Sequence, residues 1–156
     1  MENTKISESF DIREVVHPHI YNHPAIGVRC IDFIHPEAGN TLEAIKLATG
    51  DVITINDWLW KGIDNAQYVD SGLRLPGESP YALFSSHRFG CGFDLKFKNM
   101  TAQEAYDFIL KNQHLFPHIT RMESDNYTIK GRKTPWIHIE IGAARASGVE
   151  IDVFNP

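Results

Sequence analysis

The chain has 156 residues, of which 42% are hydrophobic, and a formal net charge of -5 at pH 7. This length and hydrophobic content fit one domain with an ordinary core, and nothing in them calls for a second domain. The negative charge and the absence of any Lys/Arg cluster argue against a nucleic-acid partner, because phosphate recognition requires a basic face.

The sequence contains no sign of a membrane span or of an export signal. No apolar stretch approaches the roughly 20 residues that a transmembrane helix needs, and residues 1–9 lack the charged and apolar regions of a signal peptide. Cys30 and Cys91 are too few for a disulfide framework. We therefore expect synthesis in a reducing cytoplasm, with residues 1–9 loosely ordered, as polar chain ends commonly are.

The local signals at the start of the chain are mixed. Residues 10–16 fit either a short helix or a short strand. Residues 17–24 form a proline-punctuated loop, and we interpret its histidines as surface residues rather than metal ligands. Residues 26–34 are predicted to be half-buried and extended.

Two helices are predicted from their capping residues. The first begins at Asn40, which would form a capping box with Glu43, and it ends at Gly50. The second follows a capping box of Thr101 with Glu104. The residues expected to face the core are Leu42 and Ile45, with Leu47 and Ala48 as further candidates, and Ala105, Phe108, Ile109 and Leu110 in the second helix, which should end near Gln113.

Short apolar segments bounded by turn residues predict the strands. They cover residues 52–55, 92–97, 119–123 and 135–141, with a last edge strand at residues 149–154. Residues 130–133 are the expected hairpin tip before the 135–141 strand. These elements predict an α+β fold with a small, mainly antiparallel sheet and the two helices packed on one face.

His87, Asp94 and His138 are predicted to bind a zinc ion. A catalytic zinc takes three ligands from His, Cys, Asp and Glu and leaves a fourth position to water. Because side chains alternate along a strand, Asp94 and His138 each lie opposite the apolar face of their strands, where a cleft can form. Gly90 and Gly92 allow the chain between two ligands to bend or to approach closely.

Other chemistry-bearing residues are interpreted as structural. Cys91, His114 and His118 are expected to lie outside the metal's ligand set, Cys91 as a small buried side chain and the histidines as turn residues. Trp58 and Trp60 are expected to pack in the core rather than to line a substrate groove, because each indole buries a large area.

The motifs around these ligands resemble those of a peptidase family. The run Ser85-x-His87-x-x-Gly90-x-Gly92-x-Asp94 resembles the Ser-x-His-x-x-Gly-x-Ala-x-Asp signature of the M15-type zinc peptidases, the D-alanyl-D-alanine carboxypeptidases and L-alanyl-D-glutamate peptidases. Trp136-x-His138 resembles the segment with the family's third ligand. Asp70-Ser71-Gly72-Leu73-Arg74 resembles its Ser-Gly-Tyr-Arg segment. The likeness covers residues 51–141, is closest to short phage-type members, and implies the Hedgehog/DD-peptidase fold and a Zn²⁺ cofactor.

The resemblance also implies roles for residues beyond the metal ligands. Arg74 matches an arginine associated with substrate binding, and its planar guanidinium suits a peptide carboxylate, although a surface ion pair with Asp70 or another acid is the alternative. Ser85 and Trp136 are further candidates for substrate contact. The loop at residues 75–80 is expected to shape specificity. Gly92 replaces the family's usual Ala, a change expected to be harmless.

The sequence offers two carboxylates as candidates for the general base. Many members of that family place Glu or Asp three residues before the last ligand, and this chain has Pro135 there. Glu123 and Glu140 can take over that role. We prefer Glu123 as the base and Glu140 as a group that orients His138 or as the alternative base.

The expected activity is that of a zinc metallopeptidase that hydrolyses D-residue-containing peptides of peptidoglycan, as a carboxypeptidase or an endopeptidase. Such a protein would reach the cell wall through another factor, in keeping with the phage-type likeness. The alternative is a zinc-binding module of the same fold that has lost its base and acts as a structural or binding component of a phage or cell wall. Pro135 favours this alternative, and Glu123 and Glu140 favour the enzyme.

Overall fold

The computed structural model describes residues 4–74 and 84–156, which form an α+β fold around a five-stranded sheet. The strands are β1 (Ile53–Thr54), β2 (Gly92–Phe97), β3 (Ile119–Glu123), β4 (Ile137–Ile141) and β5 (Asp152–Phe154). The α-helices are α1 (Pro18–Tyr21), α2 (Ala38–Thr49), α3 (Trp58–Lys61) and α4 (Ala102–Lys111). Short 3-10 turns cover Ile12–Glu14, Gly27–Phe33, Ile63–Asn65, Ser86–Phe89 and Gln113–Leu115, and a π-helical turn covers Asn126–Gly131.

The sheet has the strand order β1-β2-β4-β3-β5, so β4 is its central strand. The pairings are antiparallel except that of β3 with β5, which is parallel. The register of β3 against β4 shifts between Ile119 and Arg121, which marks a β-bulge at Thr120. The α+β class is confirmed, and β2 and β3 have the bounds predicted from sequence.

One face of the sheet forms the core with α2 and α4. Its central side chains, Phe93, Leu95, Ile137 and Ile139, are at most 1% exposed. Leu42 and Ile45 from α2 and Ala105 and Ile109 from α4 belong to the same cluster, as predicted. Burying a large aliphatic or aromatic side chain contributes about 1.5–3 kcal/mol. This core fixes the strands whose opposite face carries the candidate site.

Helix α4 begins as the sequence predicts. Thr101 Oγ1 accepts from the Glu104 amide at 3.2 Å, and the Glu104 carboxylate accepts from the Thr101 amide at 2.7 Å. The helix ends at Lys111 rather than near Gln113, because a separate 3-10 turn begins at Gln113.

The predicted start of α2 is wrong, because tertiary contacts override the local capping pattern. The helix begins at Ala38, and Asn40 lies inside its first turn. The carboxylate of Glu43 instead accepts hydrogen bonds from Ser7 and Ser9, which fastens the N-terminal segment to the helix. The predicted end at Gly50 is confirmed, with a left-handed φ of 65°. Leu47 and Ala48, offered as core residues, are exposed.

Three further expectations are corrected by the structure. Gly27–Phe33, within the segment 26–34 expected to be extended, forms a 3-10 turn in which Cys30 is the buried residue. The expected hairpin tip at 130–133 belongs to the connection that contains the π-helical turn. Trp58 packs inside, where its Nε1 donates to Val16 O at 3.0 Å, but Trp60 is 59% exposed.

Within the described ranges, no helix has the length and apolar character that crossing a membrane requires.

Candidate metal centre

Three separate elements bring the predicted metal ligands together. His87 lies in the 3-10 turn Ser86–Phe89, Asp94 in β2 and His138 in β4. The β2–β4 register pairs Asp94 directly with His138. All three side chains are buried, and one ligand atom from each lies within 4.8 Å of the others. They form a group that could hold a metal ion.

The carboxylate of Asp94 lies between the two imidazoles. Its Oδ1 is 2.9 Å from His138 Nδ1 and 3.4 Å from His87 Nε2. The ring centroids of the two histidines are 4.9 Å apart. The other nitrogen of His138, Nε2, lies 3.3 Å from Ser86 Oγ and 3.6 Å from Glu140 Oε1.

The remaining nitrogen of His87 is held by the backbone of the Ser-Gly-x-Arg segment. His87 Nδ1 is 2.9 Å from Gly72 O, which directs Nε2 towards Asp94. Gly72 is itself pressed against the N-terminal part of the chain, since a Cβ there would lie 2.1 Å from Val15 O. The Leu73 amide donates to that same carbonyl at 2.8 Å. The N-terminal segment therefore supports a candidate ligand, a contribution that sequence reasoning did not identify.

Both glycines of the connection between His87 and Asp94 are required by the backbone. Gly90 has a left-handed φ of 66°, and a Cβ there would lie 1.9 Å from Phe33 O. Gly92 approaches the turn that carries His87, and its Cβ would lie 2.2 Å from Ser86 Oγ and 2.8 Å from the His87 amide nitrogen. An alanine at position 92 would therefore force the turn that carries His87 to shift in this chain.

Burial and close contacts shift the pKa values of all three candidate ligands. Burial would raise the pKa of Asp94, but the two imidazoles outweigh it and hold that pKa far below its usual range. Burial lowers the pKa of His87. Burial also disfavours the charged form of His138, yet its contacts with Asp94 and Glu140 raise its pKa to about 9. An anionic Asp94 and a neutral His87 are ready to ligate, and His138 would release its proton on binding a metal.

Two cations contact Asp94 from the side of β2. Arg74 Nη2 is 3.2 Å from Asp94 Oδ2, and Arg74 Nε donates to Asp70 O. Arg74 thus pairs with Asp94 rather than with the carboxylate of Asp70. Lys96 is buried, and its Nζ donates to Asp94 O at 3.2 Å and to Ser71 Oγ. Its burial lowers the pKa of Lys96 to about 8.

The sheet register arranges the polar face of β2, β4 and β3 in two rows. In one row Gly92 pairs with Glu140, and Glu140 pairs with Arg121. In the next row Asp94 pairs with His138. Because Met122 pairs with Ile139, the residue after it, Glu123, lies beside His138 on the same face. Both candidate bases are therefore neighbours of the same ligand, one on its own strand and one on the adjacent strand.

The two carboxylates have different environments. Glu140 Oε2 pairs with Arg121 Nη1 at 3.2 Å. Burial would raise the pKa of Glu140, but its contacts with His138 and Arg121 lower it. Glu123 Oε2 accepts a hydrogen bond of 2.7 Å from Thr128 Oγ1, and among the described residues it forms no ion pair.

The candidate ligands line a surface cleft with a volume of about 820 Å³. The other predicted site residues line the same cleft: Arg74, Ser85, Glu123, Trp136 and Glu140. Sequence reasoning missed several of its wall residues: Phe84, Ser86, Arg121, Tyr127, Arg132 and Phe154. The alternation of β3 could have identified Arg121, which shares a face with Glu123. The loop at residues 75–80, expected to shape specificity, lies outside the described residues.

The residues interpreted as structural have no place in the metal-ligating group. Cys91 Sγ donates to Ser86 O at 3.4 Å, and burial raises the pKa of the thiol. His118 Nδ1 is 3.0 Å from Gly142 O. Trp58 and Trp60 are absent from the described lining of the cleft.

Comparison of the chain with protein-family models, with curated proteins and with solved structures finds no match. Two imidazoles and one carboxylate are a donor set that catalytic zinc sites use, and their convergence on a cleft fits a metal that leaves a position open to a ligand.

Proposed function

We propose that this chain is a zinc-dependent peptidase with the Hedgehog/DD-peptidase fold, acting on short peptides of peptidoglycan. The observation that carries the proposal is the convergence of His87, Asp94 and His138 on a cleft that also contains the carboxylates of Glu123 and Glu140. When bound, zinc supplies a Lewis acid that polarises a carbonyl and lowers the pKa of water to about 7. The substrate class comes from the motif resemblance, as does action at a cell wall after delivery by another factor.

Glu123 is the stronger candidate for the general base. A base must lie near the site and must not be tied up by a cation. Glu123 stands beside His138 and is held by a neutral hydroxyl, that of Thr128. Burial opposes a low pKa at Glu140, but its contacts with His138 and then with Arg121 lower that pKa and weaken Glu140 as a proton acceptor. Glu123 would therefore accept the proton from water, and Glu140 would orient His138.

Arg74, Ser85 and Trp136 would position the peptide. Arg74 uses Nη2 and Nε on Asp94 and Asp70, which leaves Nη1 to donate to a peptide carboxylate. Trp136 and Ser85 both line the cleft, and Ser85 directly precedes the turn that carries His87. These groups hold a substrate next to the carboxylates, which is how orientation contributes to rate.

The test measures zinc content and peptide hydrolysis on the same sample. We expect about one zinc per chain, released amino or carboxyl ends from peptidoglycan, and loss of both in His138→Ala. The matched control is His114→Ala, at an exposed histidine away from the site. Glu123→Gln should lower kcat by about 10²- to 10⁴-fold with zinc affinity unchanged. Glu140→Gln should lower zinc affinity by about 10- to 100-fold, and the exposed Glu150→Gln should change neither.

The second candidate is a zinc-binding module without hydrolytic activity. The observation that favours it is that Thr128 already engages Glu123 and Arg121 already engages Glu140, while Pro135 occupies the position of the family's usual base. Zinc binding without cleavage of any wall preparation would support this candidate. A protein that binds no zinc would refute both.

A further inference from the structure

Among the described residues three arginines line the cleft, and one of them has no anionic partner there. Arg74 pairs with Asp94 at 3.2 Å. Arg121 pairs with Glu140 at 3.2 Å and with Asp152 at 3.0 Å. Across residues 4–74 and 84–156, Arg132 forms no ion pair. Its guanidinium carbon lies 5.9 Å from the centroid of the Tyr127 ring. Its five N–H donors are available to a ligand.

Arg132 lies on a segment that supplies several parts of the cleft. It follows the π-helical turn Asn126–Gly131 in the connection between β3 and β4. The same turn places the Tyr127 ring in the wall and the Thr128 hydroxyl on Glu123. π-Helical turns are rare and occur frequently at functional sites. One irregular segment therefore combines an unpaired cation with a hydroxyl that holds the proposed base.

The backbone beside Arg132 is also in an uncommon conformation. Lys133 has a φ of 55° and is the only non-glycine residue with a positive φ in the described part of the chain. Residues outside the favoured regions persist where the surrounding structure imposes them, and they cluster at ligand sites. Here the Thr134 amide and hydroxyl both donate hydrogen bonds to Thr128 O. These bonds link the two ends of the segment that contains Arg132.

We propose that Arg132 is a specificity-determining residue that binds a carboxylate of the substrate other than the one held at Arg74. The two arginines approach the cleft from different elements, Arg74 from the segment that contacts Asp94 of β2 and Arg132 from the connection that leads into β4, the strand of His138. A planar guanidinium can grip a carboxylate with two parallel hydrogen bonds. The preferred substrate is therefore an acidic peptide with a side-chain carboxylate in addition to its terminal one. This inference rests on the proposed function.

The experiment measures equilibrium binding, so it needs no turnover. The probes are two dipeptides in which a methylene-amine group replaces the amide, Ala-ψ(CH2–NH)-D-Glu and Ala-ψ(CH2–NH)-D-Gln, titrated into zinc-loaded protein by calorimetry. They differ only in the side-chain carboxylate. We expect the wild-type protein to bind the acidic probe about tenfold more tightly. Arg132→Gln should reduce this preference to within about twofold, and Arg132→Lys should give an intermediate value because it keeps the charge without the fork.

The matched control is Lys133→Gln. It also removes one positive charge, at the next residue, but the Lys133 side chain is not part of the described cleft wall. The Lys133→Gln protein should keep the tenfold preference for the acidic probe. If the preference came only from overall positive charge, Lys133→Gln would lower it as much as Arg132→Gln does. Arg132 is exposed, and equal thermal midpoints would show that the variants fold. A wild-type protein without preference, or an Arg132→Gln protein that retains it, would overturn the assignment. Absence of hydrolysis of the parent amides would refute the peptidase proposal instead, because the binding preference is measured independently.

Discussion

Replacing Gly92 by alanine tests whether the turn that carries His87 is set by a close backbone approach. The new Cβ would lie 2.2 Å from Ser86 Oγ and 2.8 Å from the His87 amide nitrogen. The hydroxyl of Ser86 can rotate away, but the His87 amide belongs to the backbone, so the turn itself must move. The ligand would then be displaced relative to Asp94.

The size of the effect follows from two opposing contributions. Overpacking of this kind costs about 1–3 kcal/mol. The lower conformational entropy of alanine in the unfolded chain offsets about 0.4–1 kcal/mol. We therefore expect Gly92→Ala to lower the free energy of unfolding by about 1–2 kcal/mol. Metal affinity should fall by about 10- to 100-fold, as it does when groups that orient a ligand are disturbed.

Urea denaturation of the metal-free protein and competition with a chelator measure the two effects separately. The double variant with Ser86→Gly removes the Oγ and Cβ contacts and should recover part of the stability, leaving the His87 contact. The matched control is Gly142→Ala, where a Cβ would lie 3.0 Å from the Thr120 side chain, which can adjust. A Gly92→Ala protein with wild-type stability and metal affinity would refute the close approach and the geometry derived from it.

Two further predictions concern stability away from the site. Asp51→Ala should lower the free energy of unfolding by about 2–4 kcal/mol without changing metal affinity, because the Asp51 carboxylate accepts hydrogen bonds from the Asn99 and Met100 amides. An unchanged free energy of unfolding in urea denaturation would contradict this. The second prediction concerns Asp11. Burial would raise the pKa of Asp11, but hydrogen bonds from Arg13 and Thr4 lower it from 3.8 to about 2. A pKa that is lower in the folded than in the unfolded state adds stability above pH 4, and this stability is lost as the pH falls towards 2. Asp11→Asn should therefore lower the free energy of unfolding by about 2 kcal/mol at pH 6 and by progressively less in acid. A loss that is independent of pH would contradict this assignment.

Two of the candidate ligands, Asp94 and His138, could be placed from sequence because they depend on local periodicity, whereas His87 lies in a 3-10 turn and is identified only by the motif around it. Asp94 and His138 lie on strands with strict alternation, so their face follows from the apolar residues around them. Their pairing needed only that β2 and β4 be neighbours. The capping box of Thr101 was equally local, and it was found where predicted.

The parts that sequence reasoning missed depend on contacts between distant segments. Glu43 suggested a local cap for Asn40, but in the fold it binds Ser7 and Ser9. The support of His87 through Gly72 and Val15 joins residues far apart in the chain. Arg132 follows a π-helical turn, a conformation without a simple hydrophobic period. None of these contacts has a signature in a window of neighbouring residues.

The bulge in β3 brings Glu123 to the face of the sheet that carries the candidate site. Ile119 and Met122 both face the core although they are three residues apart, which strict alternation forbids. The irregularity at Thr120 resolves the conflict, because beyond it Arg121 pairs with Glu140 and Met122 with Ile139. Without the extra residue, Met122 would lie beside His138 and Glu123 would face the core. Bulges commonly re-aim side chains next to functional sites. Under the proposed function, this bulge lets a neighbouring strand provide the base at a site where Pro135 cannot.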